Sequence, residues 1–81
     1  MKKVYSLTTE VSIEHGYLYG SEFRKIFSQT GVSWTIEESW LNRSTTFEIN
    51  ILSDKSDYEY IKDRIINELG LEIKELGECT K

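Results

Sequence analysis

The pattern of apolar residues predicts an α+β domain with the order β-α-β-β-α-β, two helices lying on one face of a four-stranded antiparallel sheet. Three observations carry this reading. Period-two alternation marks residues 3–13, 32–41 and 46–51. Helix-period stripes mark residues 23–27 and 58–69. A chain of 81 residues has room for one domain with a thin core and no more.

The first strand is read from Tyr5, Leu7, Thr9, Val11 and Ile13, which share one face, against Ser6, Thr8, Glu10 and Ser12 on the other. Glu14-His15-Gly16-Tyr17-Leu18-Tyr19-Gly20 breaks the alternation with two glycines four apart and reads as a loop. Ser21 is then the expected cap of a short first helix, with Phe23, Ile26 and Phe27 on its buried face and Gly31 as its stop.

Alternation resumes with Val32, Trp34, Ile36 and Trp40 on the apolar side, where Glu38 interrupts it. Both tryptophans are therefore expected in the core. The polar stretch Asn42-Arg43-Ser44-Thr45 connects to Phe47, Ile49 and Ile51, and two alternating runs so joined form a hairpin. Ser56-Asp57-Tyr58-Glu59 has capping-box spacing, and Tyr58, Ile61, Ile65, Ile66 and Leu69 form the stripe of a second helix that ends at Gly70. Lys62 falls on the opposite side. Leu71 and Ile73 open a last strand. Taken together this is the ferredoxin-like split βαβ arrangement, a single domain over residues 1–81.

Composition narrows function by exclusion. Ten Lys and Arg stand against 14 Asp and Glu, a net charge of −4. No apolar run is long enough for a membrane span. Met1–Leu7 leads into alternation instead of an apolar signal segment, so a cytoplasmic location is expected. The outward sheet face would carry Glu10, Glu37 and Glu48 with no aromatic, Lys or Arg, so it would repel a polyanion, and nucleic acid is excluded as a direct partner. His15 stands alone, without a second histidine or cysteine cluster, so no metal is expected. Cys79, in the polar tail, has no histidine near it in sequence to make it a nucleophile. No organic cofactor is implied either.

Gly16-Tyr17-Leu18-Tyr19-Gly20-Ser21-Glu22-Phe23-Arg24 resembles the phosphate-cradling loop of the acylphosphatase family, which has the same element order. The resemblance covers these nine residues and one asparagine. It implies that loop N–H groups around Gly16 and Gly20, together with Arg24, bind a phosphoryl group, and that Asn42 orients the attacking water. The physics is that of an anion held by backbone amides and a bidentate guanidinium.

Against that phosphohydrolase stands a non-catalytic reading. No acid–base pair, metal set or nucleophile–base pair is evident, which favours a small acidic intracellular protein-interaction domain. Its contacts would be Tyr17, Leu18 and Tyr19 on the glycine-bounded segment, with Glu10, Glu37 and Glu48 on the sheet. The chain lacks Ala and Pro and is rich in Ile, Lys and Glu, as an A+T-rich coding sequence would make it. A phage or mobile-element inhibitor of a host protein fits that composition. A third reading is a small-ligand regulatory module formed by a homodimer.

Overall fold

Alternating residues do build the sheet. The computed structural model describes residues 2–79, with side chains as far as Gly77. Its elements are β1 (Lys3–Ser12), a 3-10 turn (Ile13–His15), α1 (Gly16–Thr30), β2 (Ser33–Leu41), β3 (Ser44–Ser53), α2 (Lys55–Leu69) and β4 (Lys74–Cys79). The strands lie in the order β2-β3-β1-β4, every neighbouring pair antiparallel. Two helices and a four-stranded antiparallel sheet are thus the architecture, with β2 and β4 as its edges.

The core forms between the helices and one sheet face. Tyr5, Leu7 and Val11 of β1 and Phe47, Ile49 and Ile51 of β3 meet Phe23, Ile26 and Phe27 of α1 and Tyr58, Ile61 and Ile65 of α2. Ring packing fixes the layers. Phe23 meets Phe47 edge-on at 5.1 Å, and Tyr5 stacks on Tyr58 at 4.3 Å.

Several boundaries differ from the sequence expectation. The second helix is capped by Asp54, whose carboxylate accepts the Asp57 N–H at 2.9 Å, and not by Ser56. Ser56 donates to the same carboxylate at 3.0 Å, so both residues serve one cap. Ile66, placed on the buried stripe, is 41% exposed, because it lies 100° round the helix from Ile65. The last strand begins at Lys74, after Leu71 and Ile73 have packed against the core. Cys79 pairs with Val4 through the backbone, and its side chain lies outside the described residues.

The hairpin turn is tighter than a four-residue connection. Asn42 and Arg43 alone form it, with φ of 51° and 66°. Two successive positive φ angles make the primed turn that matches strand twist. Thr45, read as part of the connection, belongs to β3 and is fully buried.

Candidate functional site

The largest departure from the sequence reading is at residues 14–20. This segment is a 3-10 turn followed by the first turns of α1, which starts at Gly16 instead of after Ser21. Gly16, Gly20, Phe23 and Phe27 are all buried and recur at helical spacing. The two glycines therefore extend the buried face of the helix, where they allow close approach to the sheet. A Cβ on Gly16 would stand 2.5 Å from Thr45 Oγ1, and one on Gly20 would lie 3.1 Å from Arg24 Nη1 and 3.2 Å from Glu38 Oε1. Spacing of four, shared with Phe23 and Phe27, was the available signal. Glycine's usual role as a helix breaker hid it.

These positions do not assemble a glycine-loop cradle. The Gly20 amide lies within α1, and Arg24, in its third turn, pairs with Glu38 at 3.6 Å. Glu38 interrupts the apolar alternation of β2 because it meets this arginine. Asn42 occupies the hairpin turn. The sheet does bring the ends of β1 and β2 to the same side, as the resemblance requires, since Ser12 and Leu41 both flank Ser44. The Ile13 N–H donates to the Arg43 carbonyl at 2.9 Å and ties the turn to the start of the helix.

Helical geometry also separates the three proposed contact residues. Tyr17 is 73% exposed and Leu18 about half exposed, whereas Tyr19 packs against the core. Consecutive residues of a helix point 100° apart, so Tyr19 turns to the core while Tyr17 and Leu18 stay outside. Trp40, expected in the core, is 64% exposed, while Trp34 packs at a tilt against Phe27, ring centres 5.3 Å apart. Trp40 lies near the end of an edge strand, where α1 offers glycines instead of large side chains. Ile13, Tyr17, Leu18, Trp40 and Leu41 are thus large apolar side chains exposed at the end of the molecule where β1 and β2 finish and α1 begins, beside the exposed Glu14, Asn42 and Arg43.

The face away from the helices carries Glu10, Glu37 and Glu48, as read. Glu37 lies directly opposite Glu48 on the neighbouring strand, and Glu10 opposite Thr46. A like-charged cross-strand pair destabilises a sheet. The face is not free of cations, because β4 contributes Lys74 beside Thr8, and a depression there is lined by Thr8, Glu10, Thr46 and Lys74. Ser6 donates to Asn50 at 2.5 Å, and Asn50 to Thr35 at 3.3 Å, so hydrogen bonds run across three strands.

A second polar cluster joins α2 to β4. The Tyr58 hydroxyl donates to Glu75 at 2.6 Å, and Lys62 pairs with Glu75 at 3.1 Å and Glu59 at 2.8 Å. Lys62 also lies 5.5 Å from the Tyr58 ring centre, so it is not the uninvolved surface residue its helix phase suggested. Burial, then the Glu75 hydrogen bond, pushes the Tyr58 hydroxyl well above the ordinary tyrosine range. The Tyr58 hydrogen bond, then Lys62, holds Glu75 below the usual carboxylate range.

A depressed carboxylate adds stability above its unfolded value, near pH 4.3, that is lost as pH falls through the folded value. Asp54, through the Asp57 amide, and Glu68, through Arg64, act in the same direction. Stability should therefore decline below about pH 4.5. In parallel acid titrations of the melting temperature, the gap between wild type and Glu75→Gln should close as pH falls. A gap constant from pH 6 to pH 3 would contradict this linkage.

Among the described residues no group of three His, Cys, Asp or Glu side chains could hold a metal ion. Nor is any helix among them long and apolar enough to cross a membrane.

No family model matches the chain, and no curated protein matches it. Solved structures do. The de novo designed protein Foldit4 is similar with a TM-score of 0.83 at 18% identity, covering 100% of this chain and 99% of that one. An uncharacterized protein from Thermotoga maritima matches with a TM-score of 0.69 at 16% identity, covering 95% and 98%. A dimeric ferredoxin-like protein from an uncultured marine organism matches with a TM-score of 0.58 at 14% identity, covering 100% and 96%. At such identities the likeness is one of fold, and it defines the class: a small ferredoxin-like α+β domain.

Proposed function

We propose that this chain is a non-catalytic, intracellular protein-interaction domain on the split βαβ scaffold, and that it docks a protein with a basic surface. The carrying observation is the exposure of five large apolar side chains, Ile13, Tyr17, Leu18, Trp40 and Leu41, at one end of the molecule. That end adjoins a sheet face on which Glu37 and Glu48 sit side by side. Large side chains left in water forfeit about 1.5–3 kcal/mol each of burial energy, which a partner recovers by covering them. Acidic groups beside such a patch select and steer a basic partner. An inhibitor that fills a basic site on its target, of phage or mobile-element origin, fits this arrangement.

The test compares immobilised wild type with Tyr17→Ser and Leu18→Ser in capture from the source lysate, followed by mass spectrometry. A basic partner retained by wild type should be bound about 1–3 kcal/mol more weakly by each variant. Melting temperatures should be unchanged, because both side chains are exposed. If the variants lower the melting temperature and leave affinity per folded molecule intact, the patch is structural. Hydrolysis of a generic acyl phosphate that disappears in Arg24→Ala would instead support the phosphohydrolase reading.

A further inference from the structure

Among the described residues, β2 is an edge strand that pairs on one side only, with β3. Its nine residues keep one unbroken register with β3 from Ser33 to Leu41 and contain no proline, lysine or arginine. Natural sheet edges are usually blunted by such residues, by other charges or by bulges. The charges on β2 are Glu37 and Glu38, and Glu38 is engaged by Arg24 at 3.6 Å. The opposite edge, β4, has six residues, Lys74 and an irregularity opposite Ser6 and Leu7.

Hairpin geometry determines which groups β2 offers. In a two-residue hairpin the flanking pair, here Leu41 and Ser44, exchanges both backbone hydrogen bonds. Odd-numbered residues of β2 are then bonded to β3, and the N–H and C=O groups of Trp34, Ile36, Glu38 and Trp40 point outward. Glu37 lies between them on the open face, with Glu48 directly behind it. A residue added opposite Glu37 would occupy a non-hydrogen-bonded pair, where side chains approach most closely.

We infer that β2 is a docking edge for an extended segment of a basic partner, which adds as a fifth strand with Lys or Arg opposite Glu37. The inference rests on the interaction reading above and names the partner's chemistry. Charge complementarity selects the occupant: a cation there relieves the Glu37–Glu48 repulsion. Apolar residues at the alternate positions cover the exposed part of Trp40 and the half-buried Trp34 and Ile36. A second copy of the chain is a poorer occupant. The two-fold register that sets Trp34 against Trp40 also sets Glu37 against Glu37.

The probe is a synthetic peptide of β2's length that alternates valine with threonine, with arginine at the centre. Binding should protect the amides of Trp34, Ile36, Glu38 and Trp40 from hydrogen exchange and should weaken with salt. N-methylation at the valines, whose N–H groups face β2, should abolish binding, whereas N-methylation at the threonines should not. Glu37→Lys should weaken binding about tenfold, the scale of one exposed pair turned repulsive, and a peptide with glutamate at its centre should recover it. The inference fails if both methylated peptides bind alike or if no peptide binds. Self-association of the free chain that protects the same four amides also overturns it. Capture that still depends on Tyr17 and Leu18 while the peptides fail would remove the edge inference and leave the interaction reading standing.

Discussion

Ile61→Ala and Ile65→Ala are each expected to destabilise the domain by about 2–5 kcal/mol, against under about 1 kcal/mol for Ile66→Ala. Both residues are fully buried between α2 and the sheet, whereas Ile66 is 41% exposed. A small domain holds about 5–15 kcal/mol in total, of which a loss of that size is a large fraction. At this chain length 1 kcal/mol moves the midpoint by roughly 4–8 °C. Thermal melts of the three variants beside Asp63→Ala, an exposed control, read the difference directly. Equal losses at Ile65 and Ile66 would mean that α2 is rotated from the phase described.

Gly16→Ala should cost about 1–3 kcal/mol, although alanine is normally the better helix former by nearly 1 kcal/mol. The added methyl meets Thr45 Oγ1 at 2.5 Å and the two Thr45 carbons at 3.1 and 3.2 Å. Thr45 cannot withdraw, since it is fully buried on a central strand, and its hydroxyl has no hydrogen-bond partner within the described structure. Thr45→Ala removes the closest contact and should restore most of the loss in the double variant. A chemical-denaturation cycle over the two sites measures the coupling. If Gly16→Ala is stabilising, the helix start does not lie against β3 as described.

How much of this was legible depends on the kind of information each feature needs. Strand positions were readable wherever apolar and polar residues alternate, because a pleated strand has period two and one face is buried. Tyr5, Leu7 and Val11, and Phe47, Ile49 and Ile51, followed that rule. The stripe of α2 was readable to within one residue of its width. The open acidic face was readable from the same alternation, apart from Lys74, whose strand is short and weakly patterned.

Pairing decided the rest. Local propensity places glycine in loops, and only the packed neighbours supply the reason for glycine in this helix: Thr45 of β3 lies too close to Gly16 for any side chain, and Arg24 and Glu38 crowd Gly20. Once that segment is helical, Tyr19 turns to the core away from Tyr17 and Leu18, and the two glycines lie within a helix instead of in the loop they suggested. Trp34 and Trp40 have the same facing in sequence, yet one packs on Phe27 and the other stays exposed, because α1 presents phenylalanine to the first and its glycine-bearing start to the end of β2. The edge position of β2 likewise belongs to the sheet and not to the strand. Composition and periodicity determine which residues this chain can bury. Which of them are covered, and which remain for a partner, is decided by what the neighbouring element places opposite.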